Sequence, residues 1–274
     1  MSNTNKRIAS ALVLSALVAF LIYLGSKPTI GFVILVGCLA IDEIYCNIFK
    51  RERWNLNYFI SQAILLIPAI FLNFFDNTMG LFNVMNNAAV LFNIVLVVYL
   101  FYVNIEGNFL EFVSSKFPAI GGLMIVLPVT ALTSLFHYGD WREFLAVLLL
   151  VNFGMDTGAW FFGKNFGKHK LWKAVSPNKT IEGLIGGIIT SGIVGGVSWH
   201  LLFDVMSVQL FVFFSFLGLM SQVGDLIQSK IKRQAEVKDS SSLIPGHGGV
   251  YDRIDSLIFL APFYALALKY FNFG

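Results

Sequence analysis

An all-α, polytopic membrane protein with about nine transmembrane helices and a cytoplasmic N-terminus is the fold this sequence predicts, on three observations. The chain is too apolar for a soluble domain. Of its 274 residues 57% are hydrophobic and 13% charged, where an average globular protein carries about 25% charged residues, and its mean hydropathy is +0.74. Its apolar residues run in stretches suited to crossing about 30 Å of hydrocarbon, which takes roughly 20 helical residues. Its lysines and arginines collect in alternate loops, the bias that orients membrane proteins.

The first stretch, 8–25, follows Lys6 and Arg7 and resembles a cleavable signal, but no small-x-small cleavage site appears before Lys27, so it is read as a span. The second, 29–49, contains Cys38 and Cys46, too few and too badly placed for a disulfide framework or a zinc site and read as buried thiols. Asp42 and Glu43 interrupt its inner half, where they pair with a basic residue, approach the headgroups or serve function. Stretches 58–75, 82–104 and 118–136 follow as apolar runs between short polar segments. The sixth, 144–163, carries Asp156 near its inner end in Asn152-Phe-Gly-Met-Asp-Thr-Gly158. The seventh, 181–203, stacks Gly183, Gly187, Ser191 and Gly195 on one face, which lets another helix approach closely, either within the chain or across a homodimer. The eighth, 207–227, brings Ser221, Asp225 and, just beyond it, Ser229 onto one face; the ninth, 254–272, begins beside Asp252 and Asp255.

With a cytoplasmic N-terminus, all of the 19 lysines and arginines except Lys27, Arg142 and Lys269 fall on the inner side. Residues 1–274 are read as a single integral membrane domain, with N-terminal helices in 1–136 and catalytic helices and cytoplasmic loops in 137–274. The longest inner loops, 164–180 and 228–253, are also the most basic and polar, so the chemistry is expected there. No internal repeat is visible, which disfavours a transporter built from repeats.

The densest polar feature runs from Ser229 to Asp255 and combines Lys230, Lys232, Arg233, Lys238, Asp239 and Arg253 with Pro245-Gly-His-Gly-Gly249. Glycines in such a turn let backbone N–H groups approach an anion. Asp225 lies inside an apolar run, where an ionisable residue is costly and a functional candidate by default; the same argument covers Asp156. Carboxylates facing one another need a cation between them, and oxygen-only ligands without paired Cys or His point to Mg²⁺, which takes one or two carboxylates plus substrate phosphates. Phosphoryl chemistry is the natural reading. Duller readings stand beside it: a basic inner loop is topological in any membrane protein, His247 serves the turn alone, and Asp252 and Asp255 favour a helix N-terminus. A near P-loop at Gly158 to Asn165 lacks its Ser or Thr and follows an apolar helix instead of a strand.

The segment Ser229-x-apolar-Lys232-Arg233, four residues, Lys238-Asp239, then Pro245-x-His247-Gly248-Gly249-apolar-x-Asp252-Arg253-apolar-Asp255 is similar to the signature of phosphatidate cytidylyltransferases, with every fixed position filled. Asp156-Thr-Gly-Ala-Trp160, Phe166-Gly-Lys-His-Lys170 and Ser176-Pro-Asn-Lys-Thr-Ile-Glu-Gly183 also resemble that family, whereas the stretch between Leu171 and Val175 lacks a proline often found there. The likeness covers roughly the C-terminal half of the chain; the N-terminal spans match in general character, including an acid at Glu43.

The resemblance implies that CTP and phosphatidate react to CDP-diacylglycerol and pyrophosphate for phospholipid synthesis, with a divalent metal required. Asp225 and Asp252 are then expected to hold Mg²⁺, with Ser221 and Asp255 nearby and a second cation left open. Lys232, Arg233, Lys238 and Arg253 would bind phosphates; Asp239 would orient them or complete the metal shell. Ser229, Gly248, Gly249, Asp156 and Lys179 are expected to contact substrate, and His247 to act beside them. The expected setting is a bacterial-type cytoplasmic membrane with the site on its cytoplasmic side, membrane lipid as a partner and no nucleic acid. The competing readings are an enzyme using CTP on another membrane acceptor such as a polyprenol, and an ion-coupled transporter.

Overall fold

The structure, a computed structural model, describes residues 3–75 and 79–270. Every expected span is helical: α1 (Asn3–Leu24), α2 (Ser26–Glu43), α3 (Leu56–Ile70), α4 (Met79–Tyr102), α6 (Ile120–Ser134), α7 (Trp141–Phe166), α8 (Ile181–Phe203), α9 (Val208–Gln234) and α10 (Tyr251–Leu268). Among the described residues seven of these segments are long and apolar enough to cross a membrane. The other two are α1, whose apolar part is the shorter stretch Ile8–Leu24, and α10, whose opening turns carry Asp252, Arg253 and Asp255. Positions 271 and 272 of the ninth expected span, and the side chains of Lys6 and Arg7, lie outside what is described. Large exposed apolar side chains such as Leu12, Phe20, Val95, Ile193 and Val197 cover the outer helix faces, which suits lipid and not water.

Two features were not anticipated. A short helix, α5 (Phe109–Lys116), bridges α4 and α6, and an antiparallel hairpin of β1 (Lys170–Trp172) and β2 (Ser176–Thr180) joins α7 to α8. The hairpin ends at Thr180, whose side chain accepts a hydrogen bond from the Gly183 N–H and so caps α8. In the same way Asn55 caps α3 and Ser207 caps α9. α9 continues to Gln234, several residues past its expected end, carrying Asp225, Ser229 and Lys232 on one continuous rod.

The small-residue face of α8 is used inside the chain. A Cβ added to Gly186 would lie 2.3 Å from the Phe162 ring of α7, and one added to Gly195 would lie 2.3 Å from the Phe214 ring of α9. These close approaches lock α7, α8 and α9 into the bundle that carries Asp156, Lys179 and Asp225. Cys38 of α2 and Cys46, in the helical turn that continues it to Ile48, were expected as buried thiols but are free and only half-buried, because the helix side that carries them is not fully covered.

Helices alternate in direction, so one end of the molecule gathers the end of α2, the end of α9 and the start of α10. Lys27 and Arg142 are at the other end, where Lys27 Nζ donates to the Asn73 carbonyl at 2.8 Å and Arg142 Nε to that of Ile22 at 3.3 Å. Both were expected on the side opposite the basic loops.

Candidate active site

α7, β2, α8 and α9 enclose a cavity of about 310 Å³ lined by Asp156, Trp160, Lys179, Gln222 and Asp225 among others. Lys179, the residue before the Thr180 cap, reaches Asp225 across the cavity, its Nζ 2.5 Å from Oδ2. One turn further along α9, Ser229 Oγ donates to Asp225 Oδ1 at 3.1 Å. Asp156 is exposed on α7 among the exposed aromatic side chains of Phe153, Trp160 and Phe161, and lies within electrostatic reach of Asp225, Lys179 and Arg253. Asp255, half-buried on α10, lies within reach of Asp225, Lys232 and Lys179. Three carboxylates from three helices thus share Lys179.

Gln222 is a cavity residue that the sequence reasoning missed. Its side chain is buried, yet its Nε2 has no hydrogen-bond partner. An unsatisfied buried donor costs about 1–3 kcal/mol, so the position suits an acceptor brought by a ligand. The available signal was an amide three residues before Asp225, hence on the same helical face. Ser221, expected beside the metal, instead donates to Asn152 Oδ1 at 2.8 Å within the packed seam of α7 and α9.

Asp252 is in a different setting. Its Oδ1 accepts from Lys232 Nζ at 2.7 Å, and its Oδ2 accepts from the backbone N–H of Ser240 at 2.8 Å and of Gly249 at 2.9 Å. Within the glycine turn, expected to approach an anion, the Gly249 N–H therefore binds the protein's own Asp252 carboxylate. Gly246 and Gly248 have φ of 78° and 82°, the region where a Cβ is strained. Beside Asp252, Glu43 from α2 accepts from Ser240 Oγ and the Tyr251 N–H through Oε2, and from Ser241 Oγ and the Val250 N–H through Oε1.

The cations disperse. Lys230, a member of the basic cluster between Ser229 and Asp255, is 1% exposed and donates to the carbonyls of Tyr99, Leu100 and Val103. It caps the C-terminus of α4, where a positive charge meets unpaired carbonyls and the negative end of the helix dipole. Arg233 lines a separate cavity of about 600 Å³ with Lys50, Arg51, Glu106 and Glu111. Lys238, Asp239 and Arg253 are exposed near the loop. His247 Nδ1 is 2.8 Å from Ser10 Oγ of α1, which ties the glycine turn to the first helix. Asp42 pairs with Arg53 at 2.6 Å and accepts from the Tyr58 hydroxyl at 3.0 Å, the basic-partner alternative of the sequence reading.

Among the described residues no group of three or more His, Cys, Asp or Glu side chains is arranged to hold a metal ion. Mg²⁺ does not demand one, since it completes its shell with water and substrate phosphates. The side chain of Asp225 is 30% exposed in its cavity and already faces a cationic group, whereas that of Asp252 is 3% exposed with both oxygens bonded. An oxygen-only Mg²⁺ site fits the first carboxylate better.

The model of the cytidylyltransferase family matches residues 5–271. A phosphatidate cytidylyltransferase of Bacillus subtilis (strain 168) is 29% identical over 279 aligned residues, covering 99% of this chain and 100% of that protein. Phosphatidate cytidylyltransferases of Staphylococcus haemolyticus (strain JCSC1435) and Staphylococcus aureus (strain COL) are 44% identical over 124 residues and 45% identical over 132 residues. Those matches cover 45% and 47% of this chain and 48% and 51% of the relatives. The match to the family model extends over the N-terminal helices as well as the signature loop, and the chain belongs to the cytidylyltransferase family.

Proposed function

We propose that the protein transfers the cytidylyl group of CTP to phosphatidate, giving CDP-diacylglycerol and pyrophosphate, at the cytoplasmic face of a bacterial-type membrane. The observation that carries this reading is the Lys179–Asp225 pair in a cavity whose α7 wall bears an exposed acid among exposed aromatics. Such a cavity suits a ligand with a charged headgroup and a body in lipid. The sidedness rests on the lysine and arginine bias of the loops.

Phosphatidate is an anion at neutral pH, so a phosphate oxygen attacks the α-phosphorus of CTP without a general base. The bond to the β-phosphate oxygen breaks, and pyrophosphate leaves. Positioning and charge neutralisation supply the catalysis. Lys179 exchanges its contact with Asp225 for a substrate phosphate, Gln222 donates its unpaired amide hydrogen to an ester or phosphate oxygen, and Arg253 neutralises charge nearby. Mg²⁺ would be held by Asp225 with Asp156 or Asp255 and would neutralise the triphosphate. Asp252 and Lys232 hold the loop beside this cavity.

The test uses the full chain in detergent with labelled CTP, phosphatidate and Mg²⁺. The expected result is a lipid-soluble cytidine product that EDTA abolishes and added Mg²⁺ restores. Folded protein that makes no labelled lipid overturns the reaction; product that survives EDTA overturns the metal.

A further inference from the structure

We infer that Glu43 is a positioning residue for cytidylyl transfer: from the end of α2, its carboxylate holds the start of α10 and the opposite side of the signature loop in register with the cavity. This inference rests on the activity proposed above. Glu43 is 3% exposed, and each of its oxygens accepts two hydrogen bonds. Two come from the Val250 and Tyr251 N–H groups, each 2.9 Å away, where α10 begins. The other two come from the hydroxyls of Ser240 and Ser241 at 2.7 Å and 2.6 Å. A carboxylate on the amides of a helix N-terminus is a favoured arrangement, satisfying donors that have no partner within the helix. Here the acid comes from a helix about two hundred residues away in sequence.

What Glu43 holds is what the reaction uses. The first turns of α10 carry Arg253 and Asp255, which are within electrostatic reach of Asp156 and Asp225 respectively. Ser240 is gripped twice, its hydroxyl by Glu43 and its N–H by Asp252. Two acids on different helices therefore clamp the same two chain segments, and Asp252 carries Lys232 with it. Gly249 lies against this clamp: a Cβ there would be 2.3 Å from Glu43 Oε2 and 2.1 Å from Ser240 Oγ. A glycine is required because the carboxylate approaches the backbone itself.

The experiment compares kcat and KM of the wild type, Glu43→Gln, Gly249→Ala and the double variant, with the thermal midpoint measured on each. Gln keeps the shape but presents an NH₂ to donors. Displacement of the reacting groups by about 1 Å costs about 10²-fold in rate, so kcat and kcat/KM of Glu43→Gln are expected to fall together by that factor, the mark of an interaction that matters in the transition state. Gly249→Ala acts on the same contact, so the double variant is expected to lose no more than the worse single variant; independent sites would multiply. Should Glu43→Gln not fold, Ser240→Ala with Ser241→Ala removes two of the four donors and is expected to lower kcat about tenfold. Wild-type kcat and kcat/KM in Glu43→Gln or in the serine double variant, or multiplying losses in Glu43→Gln/Gly249→Ala, overturn the inference while leaving the activity intact. An inactive wild type overturns the activity itself.

Discussion

Asp225 and Asp252 are the same residue type in the same polar end of the molecule, and each meets a lysine, at 2.5 Å and 2.7 Å. Their surroundings differ. The Asp225 and Lys179 side chains are 30% and 21% exposed in a cavity, and a single serine adds to the pair. The Asp252 and Lys232 side chains are 3% and 11% exposed, and two backbone amides complete the Asp252 shell. An open pair exchanges its partner for a ligand at small cost. A closed, fully bonded pair does not, because removing one member of a buried pair leaves an uncompensated charge and costs about 3–5 kcal/mol. On the proposed reading, two acids of one site divide the work, Asp225 facing the substrates and Asp252 fixing the loop.

The largest expected effect is at the closed pair. Asp252→Ala strands Lys232 and two amides, and should destabilise the protein by about 3–5 kcal/mol, read as a lower thermal midpoint in detergent along with lost activity. An unchanged midpoint would erase the distinction between the two acids. At the open pair, Asp225→Asn should lower kcat by about 10²–10³-fold, the scale of removing one electrostatic stabiliser from a transition state. Its midpoint should barely move, since half-exposed pairs contribute little to stability. Retained turnover would take Asp225 out of the reaction. The smallest effect sharpens the picture of the cavity: Gln222→Leu removes an amide with no protein partner, so stability should be kept while kcat/KM falls by about 3- to 10-fold, the worth of one hydrogen bond. A drop in midpoint instead would assign Gln222 to packing.

Much of the fold and part of the site are legible in the residues alone. Helix-length apolar runs place the spans, because hydrophobic length is a local property and each run must satisfy its own backbone in lipid. The signature between Ser229 and Asp255 marks the polar end, and Asp225 stands out as an acid in an apolar run. Local spacing does not reveal the partners. Lys230 and Lys232 are two residues apart in one basic cluster, yet one caps α4 through the carbonyls of Tyr99 and Leu100 and the other binds Asp252. Ser221 shares a helical face with Asp225 but packs against Asn152.

By itself, then, the sequence determined the membrane class, the order of the helices, the end of the molecule where charge collects and the family of its signature loop, all of which depend on composition and short-range spacing. Only the tertiary structure decided which acid is open and which is closed, that Glu43 of α2 grips the loop between α9 and α10, and that the Gln222 amide is left without a partner. Those outcomes depend on burial and on hydrogen bonds between residues far apart in the chain, and a carboxylate or an amide acquires its role only when packing has chosen what it faces.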